Sequence, residues 1–137
     1  MFAKVTLTAA LTIRDESATG ETLLELTLHV SVERITVRDL IRQRVRHEVE
    51  QYNRRKPETF RGLVQPTDSE RTLNGYRLKQ PRDIDADTQL AKAIDAFAGN
   101  QIIMLVDDRQ VESLDEEIVV GPQTRVSFLR LTPLVGG

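Results

Sequence analysis

The sequence predicts an α+β fold: a mixed sheet with a helix packed across it, and an insertion between that helix and a second one. Three patterns carry the prediction. Apolar residues alternate with polar ones through Val5, Leu7, Ala9, Leu11 and Ile13, and again through Leu24, Leu26, Leu28 and Val30, the period of half-buried strands. Val37, Leu40, Ile41, Val45, Val49 and Tyr52 then recur at helical spacing. Strand-like segments return between Gln101 and Leu131. A length of 137 residues suits one domain over residues 1–131, followed by a flexible C-terminal tail at 132–137.

Each element has a local reason. The first two strands read as an antiparallel hairpin because residues 15–21, with Ser17 and Gly20, supply turn chemistry. Thr36 can cap the first helix with Asp39 three residues on, leaving Arg38, Arg42, Arg46 and Glu50 on its outer face. Residues 53–83 are polar and basic, punctuated by Pro57, Gly62, Pro66, Gly75 and Pro81. A structureless loop of that length is unusual in a compact domain, so the insertion, taken as about 53–84, reads as a hairpin with strands at 59–64 and 72–78.

Thr88 can cap the second helix, with Leu90, Ile94 and Phe97 inward and Gly99 at its end. Residues 101–106 read as a central strand buried on both faces, ended by Asp107 and Asp108. Residues 117–120 and 125–131, joined by a turn at 121–124, read as a second hairpin whose last strand runs straight into the tail.

Composition removes several function classes. The net charge of -2 gives no electrostatic drive toward nucleic acid or an anionic membrane, so neither is an expected partner. No apolar run approaches the roughly 20 residues of a membrane span. The N-terminal alternation differs from a secretion signal, so the expected location is cytoplasmic. With no cysteine, the chain has no thiolate metal site, no iron-sulfur cluster, no disulfide and no cysteine nucleophile.

A hairpin followed directly by an amphipathic helix is the opening of a β-grasp domain, and this order of elements closing on Gly136 and Gly137 resembles the ubiquitin-like β-grasp superfamily. The residues from Thr36 to Ile41 look like the start of that family's first helix. The residues from Val106 to Val111, followed by Arg125, Val126, Ser127 and Phe128, look like its last strands. The closing segment looks most like the small sulphur carriers of molybdopterin and thiamine biosynthesis, and the Gly-Gly ending is shared with bacterial ubiquitin-like modifiers. Those sulphur carriers usually show two prolines before a small apolar residue and the diglycine; here Pro133 remains and Thr132 stands in place of the other.

The resemblance implies a carrier acted on by other enzymes, with no catalytic residue and no bound cofactor or metal of its own. A carboxylate is a poor electrophile, so Gly137 would first be converted to a mixed anhydride with AMP by an E1-like adenylating enzyme of the molybdopterin or thiamine type, using ATP and magnesium. Gly136 gives access, because two residues without side chains can thread a narrow channel. Thr132, Pro133, Leu134 and Val135 would dock the tail on the partner. The acyl group could then pass through a thioester and a conjugating enzyme to an amine of a target protein, making the chain a modifier. Alternatively a sulphur-pathway synthase would use it as a terminal thiocarboxylate. A third alternative is a β-grasp binding module with an incidental tail.

Other features weigh less. Two terminal glycines arise by chance in about one chain in two hundred. His29 and His47 lie on different elements and read as structural or solvated. An acidic stretch at Asp107, Asp108, Asp115, Glu116 and Glu117, and the arginine-rich residues 34–61, read as solvated surfaces or as complementary docking faces for a partner. Leu129 and Leu131 read as core, or as the start of an apolar strip continuing to Leu134 and Val135.

Overall fold

The computed structural model describes residues 9–30, 33–73 and 75–131. In chain order its elements are β1 (Ala9–Ser17), β2 (Thr22–Val30), β3 (Arg34–Thr36), α1 (Val37–Arg55), β4 (Ser69–Thr72), β5 (Gly75–Leu78), α2 (Ala86–Ala98), β6 (Ile102–Val106), β7 (Arg109–Val111), β8 (Glu117–Val119) and β9 (Arg125–Arg130). The protein is α+β, with a mixed sheet and two helices among the described residues. It divides into two compact units, Met1–Asp39 with Ile102–Gly137, and Leu40–Gln101.

The first unit is built on a five-stranded sheet in the order β2-β1-β9-β6-β7. β1 pairs antiparallel with β2 and parallel with β9, while β6 pairs antiparallel with both β9 and β7. Within the described strands the alternation appears as packing: Leu11 and Ile13 on β1, Leu28 and Val30 on β2, Met104 and Val106 on β6, and Val126 and Phe128 on β9 are all buried, Leu24 and Leu26 are half-buried, and Val5 and Leu7 lie outside the described residues. Each such side chain contributes about 1.5–3 kcal/mol when fully withdrawn from water. Ile103 and Leu105, on the other face of β6, are only half-buried. The strand is therefore central but covered on one face, where burial on both was expected.

The expected hairpin of residues 117–120 with 125–131 does not form. β8 pairs with β3 in a small separate sheet, because both edges of β9 are taken by β1 and β6. The hairpin in this region is β6 with β7. Its turn is Asp107-Asp108, both residues in the left-handed region at φ 49° and 66° that a two-residue reversal demands and Asp tolerates.

The start of α1 is closed by one local bond and two long-range ones within this unit. The Thr36 hydroxyl accepts from the Asp39 N–H at 3.1 Å, as its spacing predicts. Val37 and Arg38 donate their N–H groups to the carbonyls of Glu116 and Leu114 at 2.9 and 3.0 Å. Three of the four donors that a helix start leaves orphaned are thereby satisfied.

The second unit contains the 53–84 stretch together with most of α1 and all of α2. Leu40, Ile41, Val45, Val49 and Tyr52 are buried, and Arg42, Arg46 and Glu50 are exposed, as the helical period requires. Arg44 and Glu48 are buried too, a pair that periodicity did not flag. Glu48 faces Arg44 Nε at 3.4 Å, and its two carboxylate oxygens accept the Leu63 N–H at 3.1 and 3.2 Å. That bond ties the middle of the insertion to the helix.

The insertion does hold a hairpin, but its strands are β4 and β5. Of the expected strand at 59–64, only Phe60 pairs, through a single bridge to Tyr76. Gly62, Leu63 and Val64 run on without a ladder, held by Glu48 and by Gln89, whose amide donates to the Val64 carbonyl at 3.1 Å. The Phe60 ring meets Tyr52 edge-on at 5.4 Å. Asn53 bonds both backbone groups of Ile84, at 3.0 and 2.8 Å, and so fixes the chain entering α2.

α2 is capped by Asp85, three residues before the expected Thr88. The Asp85 carboxylate accepts from the Thr88 hydroxyl at 2.6 Å and from its N–H at 3.1 Å. Those two bonds hold its pKa below the ordinary value of 3.8. The buried residues are Gln89, Ala93, Ala96 and Phe97, while Leu90 and Ile94 are half-buried. The helix ends at Gly99, whose φ of -87° is ordinary; Asn100 at φ 59° makes the left-handed reversal. Among the described residues, no helix is long and apolar enough to cross a membrane.

Candidate functional site

Thr132, Pro133, Leu134, Val135, Gly136 and Gly137 lie outside the described residues. That segment departs from the end of β9. β9 is the third of five strands, so both its edges are engaged in ladders up to Arg130. Leu131 follows, 37% exposed.

Because β1 and β9 run parallel, their C-terminal ends meet: Glu16 pairs with Leu129 and Ser17 with Arg130. On the other side, Ile103 pairs with Leu129 and Ile102 with Arg130. The β1–β2 turn closes this end of the sheet. Ser17 accepts the Gly20 N–H on its carbonyl at 2.9 Å and the Glu21 N–H on its hydroxyl at 3.1 Å, and donates its own N–H to the Glu21 carbonyl at 2.8 Å. Gly20 sits at φ 90°, which residues with a Cβ rarely adopt.

Two charged residues define the chemistry here. Arg130 Nη2 donates to Asp15 Oδ2 at 2.7 Å, with the Asp15 side chain fully enclosed and that of Arg130 25% exposed. Asp15 was expected in a turn; it is a strand residue, because β1 continues to Ser17 and the turn is confined to residues 18–21. A signal was present: Asp15 shares the parity of Leu11 and Ile13, and Arg130 that of Val126 and Phe128. An acid and a base at core positions of two strands are the mark of a buried pair.

The remaining candidates do not converge on this end. Asp107 accepts the Arg125 N–H at 2.9 Å, so the acidic turn flanks the start of β9, at the opposite end of this six-residue strand. Glu117 faces Arg34 at 3.7 Å and Asp115 faces Arg38 at 3.8 Å. Part of the acidic stretch is thus spent on the arginines nearest it. An open groove lined by Arg109, Gln110, Glu112, Ser113, Asp115 and Glu116 is crossed by the Arg109–Glu116 ion pair at 2.7 Å.

His29 is exposed and His47 half-buried, on β2 and α1 respectively. Among the described residues, no three His, Asp or Glu side chains group as metal ligands would. Leu129 lies on the sheet face opposite Phe128 and is half-buried, and Leu131 is exposed, so neither is the core residue that was expected; Leu134 and Val135 lie outside the described residues.

Compared with models of protein families, with curated proteins and with solved structures, the chain matches none.

Proposed function

We propose that this protein is a ubiquitin-like β-grasp carrier whose Gly137 carboxylate is adenylated by an E1-like enzyme and transferred to the amine of a target protein. The observation that carries the reading is the position of β9. The last strand lies in the middle of the sheet, paired on both edges, and the sequence passes from it within one residue into the segment 132–137 with its two final glycines. A strand held on both sides gives the departing segment a rigid base, which threading a narrow active site requires.

The chemistry asks little of the carrier. An oxygen of the Gly137 carboxylate attacks the α-phosphorus of ATP, the bond to the β-phosphate oxygen breaks, and pyrophosphate leaves. A thiol of the activating or conjugating enzyme then attacks the acyl carbon and expels AMP. An amine of the target displaces that thiol, loses a proton and forms the amide. Charge neutralisation and proton transfer fall to the partners, which supply magnesium and cationic groups. The second unit, with its own hairpin and helix, favours conjugation over sulphur transfer because it adds surface for recruiting partners.

The test needs Gly137 as a free terminal residue, which the intact mass of protein from its native cells establishes first. Incubation with ATP, magnesium and an E1-like adenylating enzyme from the same cells should exchange labelled pyrophosphate into ATP. Deleting Gly136 and Gly137 should abolish exchange while leaving the melting temperature unchanged. Target peptides bearing a glycine remnant on an amine support the modifier. A thiocarboxylate mass at Gly137 supports the sulphur carrier instead, and absence of exchange with wild-type protein defeats both.

A further inference from the structure

On the buried face of the sheet, Leu24, Asp15, Phe128, Met104 and Val111 stand side by side across the five strands. A carboxylate in such a row carries a steep desolvation cost, and an apolar residue at that position would serve packing better. The best-attested use of a buried ionic group is to specify register. The ladders around Asp15 fit that use. Pairing of β1 with β2 becomes irregular after Asp15, whereas pairing of β1 with β9 runs unbroken through Ser17 and Arg130.

We infer that Asp15 and Arg130 are positioning residues for the tail: their ion pair pins the end of β9 and so sets how many residues separate the sheet from Gly137. The inference rests on the carrier reading for its purpose, while the pinning itself is a property of the sheet. Slippage that keeps the same faces inward comes in steps of two residues. Two residues change the reach of the chain by about 6–7 Å. Reacting groups have to be held within about 0.5 Å, so a tail of undefined origin would reach an adenylation site in the wrong frame.

Hydrogen exchange followed residue by residue in the full chain tests the pin without any partner enzyme. In Asp15→Asn, which keeps the volume and removes the charge, exchange at Leu129 and Arg130 should accelerate about tenfold or more beyond any change at Ile13 and Met104. Arg130→Lys, which keeps a cation, should recover part of the protection lost in Arg130→Gln. Uniform acceleration across the sheet, or none at the end of β9, overturns the inference, since a pair that only adds global stability would loosen every strand alike. Should wild-type protein fail to be adenylated, the carrier reading falls and the exchange pattern alone still decides whether β9 is pinned.

Discussion

Replacing Glu48 probes whether the insertion is organised by α1 or merely appended to it. Its side chain is 5% exposed, faces Arg44 at 3.4 Å and holds the Leu63 N–H with both oxygens. Glu48→Ala removes a charge from a buried pair and leaves the Leu63 donor without that acceptor. Breaking such a pair from one side costs about 3–5 kcal/mol, and an unsatisfied buried donor about 1–3 kcal/mol, costs that overlap and do not simply add. The 3.4 Å separation is long for a charge-assisted bond, which favours the lower end, about 3 kcal/mol. For a chain of this size that is a fall in melting temperature of roughly 10 °C.

Urea denaturation followed by circular dichroism measures the effect, with Glu50→Ala, two residues on and on the exposed face of the same helix, as a control expected within about 0.5 kcal/mol of wild type. Arg44→Met with Glu48→Leu should recover much of the electrostatic loss, because apolar replacement of a buried pair is often neutral. It should still fall about 1–3 kcal/mol short, because the Leu63 N–H keeps no acceptor at that position. If Glu48→Ala matches the Glu50→Ala control, the argument that Glu48 fixes residues 61–64 is wrong.

Two further perturbations follow from local geometry. A Cβ added at Gly75 would sit 2.5 Å from the Phe60 carbonyl oxygen, so Gly75→Ala should force β5 away from Phe60 and cost about 1–3 kcal/mol in the same denaturation assay; an unchanged midpoint would contradict the close approach. Asp85 has its pKa lowered by its bonds to Thr88, so the stability it contributes is present above the unfolded value of 3.8 and is lost as pH falls through the lower folded value. Amide protection in the first turn of α2 should therefore weaken in that acid window, and Asp85→Asn, which still accepts a hydrogen bond but has no charge to lose, should flatten the dependence.

Much of this architecture is written locally. The spacing from Val37 to Tyr52 and the Thr36 hydroxyl specify α1, because a cap and an apolar stripe act within a few residues of chain. Leu11, Ile13, Leu28 and Val30 mark the first hairpin by the same short-range logic. Asp85 in place of Thr88 shows the margin of such readings, since both residues can accept the N–H that a cap must satisfy and only the path set by Asn53 and Ile84 chooses between them.

Strand partners are another matter. Residues 117–120 and 125–131 carry the pattern of a hairpin, yet β8 joins β3 and β9 enters between β1 and β6. Backbone donors and acceptors are alike on every strand, so local sequence says that a segment will pair without saying with what. Partner choice falls to which apolar faces must be buried together and which edges remain open. The chain's own residues thus determine the α+β class, the first helix and the glycines at positions 136 and 137. Only the tertiary structure makes the last strand central and brings Asp15 to Arg130 across 115 positions, because a carboxylate in an apolar row has to be satisfied by whatever cation the completed sheet carries there.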